Sequence, residues 1–121
     1  MKTILIVDDE IQVAKALCRL LRRSFAVEVV QSGSAAISRL EQHPVDLVLS
    51  DFRMPGMDGA ELLSEVMKRW PATVRVLISG FADCDRLLGG SGGAQLCRFL
   101  RKPWNDSELP GELQQLLEVP R

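Results

Sequence analysis

Apolar runs and amphipathic stretches alternate along this chain. Thr3–Val7 is apolar almost throughout and rich in β-branched residues, the mark of a strand buried on both faces. Ile11, Ala14, Leu17, Cys18 and Leu21 then recur at helical spacing, which predicts a helix ending near Arg23. A short strand is expected over Val27–Val30. A helix capped by Ser34 and carrying Ala35, Ile37 and Leu40 comes next, and Pro44 stops it. Val45–Ser50 reads as a central strand and Ala60–Trp70 as a third helix, closed by Pro71. Val74–Ile78 and Leu96–Leu100 are further strands. A final helix lies within Asp106–Glu118, with Leu109, Leu113, Leu116 and Leu117 along one face.

Five strands alternating with helices predict an α/β fold, a parallel sheet with helices on both faces. The 121 residues are enough for one domain with a real core and too few for two. No internal repeat or internal linker interrupts the pattern. Val119-Pro120-Arg121 reads as the start of a linker that has been cut short.

Composition narrows the function classes. The formal net charge is −1, so there is no electrostatic case for direct nucleic-acid binding. Arg19, Arg22 and Arg23 cluster where the first helix ends and are expected to answer its dipole. Cys18, Cys84 and Cys97 show no metal-ligand spacing. Their odd number favours reduced thiols in a cytoplasmic protein, with Cys18 a small core residue. No apolar stretch approaches the roughly 18 residues a membrane span needs. His43, ahead of Pro44, is expected in a solvated turn.

The chemistry sits at the strand ends. The first strand is followed by Asp8 and Asp9, the third by Asp51, the fourth by Ser79 and the fifth by Lys102. In open α/β sheets, ligands bind outside the carboxyl ends of the strands. Three carboxylates meeting there repel one another unless a cation lies among them, and all-oxygen ligands suit a hard ion such as Mg²⁺. With Lys102 the group sums to −2, which one divalent ion neutralises. An aspartate can accept a phosphoryl group as an acyl phosphate. A lysine and a serine hydroxyl can hold its oxygens.

Four segments, Ile4–Glu10 (ILIVDDE), Val45–Gly59 (VDLVLSDFRMPGMDG), Val76–Asp83 (VLISGFAD) and Phe99–Leu109 (FLRKPWNDSEL), carry a resemblance to the response-regulator receiver domains of two-component signalling. It extends over nearly the whole chain, which would make 1–121 a receiver domain cut from a longer multidomain regulator. The resemblance implies a flavodoxin-like, doubly wound five-stranded parallel sheet in the order 2-1-3-4-5. It implies phosphorylation of Asp51 by a sensor histidine kinase or phosphotransfer protein. Asp8, Asp9, Asp51 and the backbone carbonyl of Arg53 would hold Mg²⁺. Lys102 would bind the phosphoryl group, and Ser79 and Phe99 would be the switch residues. It further implies a cis bond between Lys102 and Pro103. Output, or a homodimer, would use the face made by the helix after the fourth strand, the fifth strand and the final helix. Such a domain catalyses only its own phosphorylation and dephosphorylation.

This chain departs from its relatives in that intervening helix. Gly89, Gly90 and Gly92 each cost roughly 0.8–1 kcal/mol relative to alanine inside a helix. One or two turns from Asp83, then a loop, are therefore expected, and Pro110 and Gly111 should loosen the start of the final helix. Three other readings compete. A phosphorylation-independent interaction module would usually have lost the acceptor or the lysine. An aspartyl-phosphate hydrolase commonly carries an aspartate where this chain has Arg53. A nucleotide or flavin binder wants a Gly/Ser/Thr-rich anion cradle where Asp8-Asp9-Glu10 stand.

Overall fold

Strand β1 (Thr3–Val7) is an inner strand of the sheet, with four of its five residues fully buried. The computed structural model describes residues 1–80 and 98–118. After β1 come α1 (Ile11–Leu21), β2 (Ala26–Val30), α2 (Gly33–Gln42), β3 (Leu47–Asp51), α3 (Gly59–Arg69), β4 (Val74–Ser79), β5 (Arg98–Arg101) and α4 (Leu109–Glu118). All strand pairs are parallel, and the sheet order is β2-β1-β3-β4-β5. This is the expected flavodoxin-like order. Parallel neighbours need long crossovers, and among the described residues α1, α2 and α3 supply those between β1 and β4.

The two-residue period of a strand sends alternate side chains to opposite faces. Ile4, Ile6, Leu47, Leu49, Val76 and Ile78 pack under α1 and α4, together with Ala14, Leu17, Leu21 and Leu113. Leu5, Val7, Val48 and Leu77 pack under α2 and α3, with Leu40, Leu62, Leu63 and Val66. Among the described residues each face therefore buries one helix pair, and Cys18 lies half-buried against the first of them.

Several local expectations shift. Ser32, not Ser34, caps α2: its hydroxyl accepts from the Ala35 amide at 3.1 Å, and Ser34 lies exposed in the helix. The buried alanine of α2 is Ala36 rather than Ala35. Ile11 opens α1 at 39 % exposure instead of joining the core. α3 starts at Gly59 because Asp58 and Glu61 form a reciprocal capping box. β3 begins at Leu47, since Asp46 instead turns its carboxylate to the Thr3 amide at 2.7 Å.

The final helix begins at Leu109, not near Asp106. The Asn105 carboxamide oxygen accepts from the Ser107 and Glu108 amides, and its carbonyl accepts from Leu109. Pro110 and Gly111 fall in the first turn, where proline's missing N–H removes no intrahelical bond. His43 is exposed, as expected. The short helix expected from Asp83, Leu96 of the fifth strand, Cys84, Cys97 and Val119–Arg121 lie outside the described residues. No helix among the described residues is long and apolar enough to cross a membrane.

Candidate functional site

The parallel registers bring the strand ends to one edge of the sheet. Val7 pairs with Ser50, Asp51 with Ile78, and Ser79 with Arg101. The residues at or just beyond those positions are Asp8, Asp51, Ser79 and Lys102. A carboxylate oxygen from each of Asp8, Asp9 and Asp51 lies within 4.8 Å of the other two. Asp8 and Asp51 are 1 % and 5 % exposed, whereas Asp9 faces solvent. Lys102 Nζ stands 2.9 Å from Asp51 Oδ1. The Lys102 amide donates to the Ser79 carbonyl at 2.7 Å, and the Lys102–Pro103 bond is cis, as the resemblance implied.

Electrostatics follow from this crowding. Burial pushes the Asp8 carboxyl up to about 6, opposed by the Glu10 amide bond to Oδ1 and reinforced by Asp51. Burial works against the Lys102 ammonium too. Its hydrogen bond to Asp51 and the nearby acids outweigh that, so its pKa lies above the ordinary lysine value. Asp8 Oδ2 is buried with no hydrogen-bond partner. An orphaned carboxylate oxygen beside two further carboxylates fits a hard, oxygen-seeking cation.

Asp51 is held by more than its strand. The Ser50 hydroxyl donates to the Asp51 carbonyl at 2.9 Å. The same carbonyl lies against Gly59, so closely that a Cβ there would collide with it and come within 2.7 Å of Leu77 Cδ1. The Gly59 amide donates to Phe52 at 2.8 Å, closing the β3–α3 loop on itself. Within that loop Arg53 is exposed. Together with Asp9, Phe52, Met54, Pro55 and Asp58 it lines an open groove of about 470 Å³. The Phe99 side chain, half-buried, packs with the core under α2 and α3 and is in register with Leu77.

Asp8, Asp9, Asp51 and Lys102 thus converge, Ser79 and Arg53 stand at the same edge, and Phe99 lies behind it. Sequence reading placed Gly59 and Ser50 only as a loop glycine and a strand residue. Their signal was present in the Ser-Asp pair and in the Gly of MPGMDG, but only the close backbone approach assigns them a role.

Known proteins resemble this chain over nearly its whole length. Residues 4–114 match the family model described as the response regulator receiver domain. The chain is 40 % identical over 117 residues to the hydrogenase transcriptional regulatory protein HoxA of Cupriavidus necator, covering 97 % of this chain and 24 % of that one. It is 35 % identical to the response regulator GtcR of Aneurinibacillus migulanus, covering 96 % of this chain and 48 % of the relative. The chain therefore spans a quarter to a half of these relatives' length. The solved signal receiver domain of an HD domain-containing protein from Pseudomonas fluorescens superposes with a TM-score of 0.88 at 32 % identity, covering 97 % of this chain and 87 % of that one.

Proposed function

The chain belongs to the response regulator receiver domain family, and from that premise we propose that it is a phosphoacceptor switch modified on Asp51. The observation that carries this reading is the contact of Lys102 Nζ with Asp51 Oδ1 beside the orphaned Asp8 oxygen. In the proposed reaction an Asp51 carboxylate oxygen attacks phosphorus of a phosphohistidine on a sensor kinase or phosphotransfer protein. The P–N bond breaks, and the imidazole leaves with its electron pair. Asp8, Asp9, Asp51 and the Arg53 carbonyl would hold Mg²⁺. A divalent ion bound there neutralises carboxylate charge and stabilises the transferring phosphoryl oxygens.

The protein's own groups do the remaining work. Lys102, already charged and aimed at Asp51, is placed to take a phosphoryl oxygen once the carboxylate has become an acyl phosphate. The Ser79 hydroxyl, on the adjacent strand end, is placed to donate to another. Movement of Ser79 would pass along β4 and β5 to Phe99 and so to the face of β5 and the final helix. We assign output or homodimer contacts to that face, where Arg98 already approaches Glu112 at 3.5 Å. The share of the relatives' length left uncovered supports further domains in the full-length protein, here proposed to act in the cytoplasm.

Acetyl phosphate with Mg²⁺ tests the assignment. Intact-mass spectrometry should find one added phosphoryl group on the wild type and none on Asp51→Ala or in the presence of EDTA. Labelling of Asp51→Ala at the wild-type level overturns the reading. A wild type that stays unlabelled with both acetyl phosphate and a phosphorylated kinase favours the phosphorylation-independent module instead.

A further inference from the structure

Gly33 opens α2 three positions after β2 ends, yet it meets the loop that follows Asp51. A Cβ added at Gly33 would lie 2.8 Å from Met57 Sδ and 3.0 Å from Met57 Cβ and Cγ. Swinging the sulfur aside does not relieve this, because Met57 Cβ is fixed to the loop backbone. Well-packed interiors transmit such an intrusion to their neighbours. The neighbours here matter. Met54, 8 % exposed, anchors the loop's start in the core, and Gly56 turns it at a φ of 76°. The Gly59 amide closes it on Phe52. Arg53 lies between these anchors, and the Asp51 carbonyl rests on Gly59.

We propose that the Gly33–Met57 contact is a positioning device: α2 sets the height of the β3–α3 loop, and through it the placement of Asp51 and the Arg53 carbonyl. Neither residue is one of the proposed reacting groups. The missing side chain at Gly33 is what lets Met57 seat. Gly33 lies at the first helical position without a left-handed φ, so helix propensity by itself favours alanine there. A packing role confined to α2 therefore predicts an unharmed site in Gly33→Ala. The positioning role, which rests on the metal-binding reading above, predicts a damaged one.

The test is a double-mutant cycle of Gly33→Ala and Met57→Ala on the described chain. It is read by Mg²⁺ titration calorimetry, by acetyl-phosphate labelling rate and by exchange of the Gly59 amide relative to Val66 in mid-α3. With Met57 present, Gly33→Ala should weaken Mg²⁺ binding by about 3- to 10-fold, the scale expected of coupled neighbours. Labelling should slow in step, and Gly59 exchange should accelerate while Val66 holds. In the Met57→Ala background, where Sδ and Cγ are gone and only the 3.0 Å approach to Cβ remains, the same substitution should have a clearly smaller effect on each of these. Equal effects in both backgrounds, or no effect in either, overturn the proposal. Should Gly33→Ala not fold, Met57→Ala alone decides: Gly59 exchange that stays at the wild-type rate overturns it. A wild type that binds no Mg²⁺ sinks the functional reading instead, and the exchange data still judge the contact.

Discussion

Lys102 Nζ and Asp51 Oδ1 are 2.9 Å apart, at the edge of the sheet where Asp8 and Asp9 add two further carboxylates. Asp51 is 5 % exposed, so little water reaches its carboxylate and the direct ion pair with Lys102 bears on its charge.

Removing the lysine should therefore cost stability as well as chemistry. Lys102→Ala leaves a largely buried carboxylate facing two others. With allowance for the partial exposure of Lys102, the loss should be about 1–3 kcal/mol at pH 7 in EDTA. Urea unfolding measures this, and acetyl-phosphate labelling should slow by about tenfold or more. A variant as stable as wild type would show that water already screens the pair.

Mg²⁺ should stabilise the folded chain by mass action, because the three carboxylates meet only when it is folded. Melting temperature should rise with millimolar Mg²⁺ in wild type, rise less in Asp9→Ala, and rise more in Lys102→Ala, where repulsion is greatest. Melting curves indifferent to the ion would argue against a formed site.

The Asp8 carboxyl supplies a pH dependence. Its folded pKa of about 6 exceeds the ordinary aspartate value of 3.8, so between those values the folded state holds the proton more tightly than the unfolded chain. Stability from this group is complete below about pH 4 and is lost as pH rises through about 6. Asp8→Asn should abolish that loss and stabilise the metal-free protein at pH 8 by up to about 3 kcal/mol, since one pKa unit corresponds to about 1.4 kcal/mol. Denaturation at pH 4 and pH 8 in EDTA checks the sign. With Mg²⁺ present the order should reverse, because the amide is the poorer ligand.

Gly59→Ala should be among the most damaging single substitutions outside the charged residues. Its Cβ meets the Asp51 carbonyl and Leu77, neither of which can retreat cheaply. A loss of about 2–4 kcal/mol is expected from overpacking against backbone. Slower labelling of whatever fraction folds should accompany it.

The two serines at the start of α2 separate cleanly. Ser32→Ala removes the acceptor for the Ala35 amide and should cost about 1 kcal/mol, while Ser34→Ala should stay within about 0.5 kcal/mol of wild type. Thermal denaturation of both variants side by side makes the comparison.

The sequence by itself determined the alternation of elements, the parallel sheet and the acids at its edge. Those come from short-range rules: a run such as ILIV reads as a doubly buried strand, and the residues just after a strand in this fold class lie at the ligand edge. It misplaced features that depend on single hydrogen bonds, since Ser32 and Ser34 are equally good caps until the backbone selects one. Tertiary structure alone decided the rest. No local pattern reports that Gly33 faces Met57, that the Asp51 carbonyl rests on Gly59, or that Asp8 Oδ2 has no partner. Each depends on how separate segments meet, and on tenths of an ångström. Residue type alone does not encode that distance, because close packing is a property of the assembled sheet and helices.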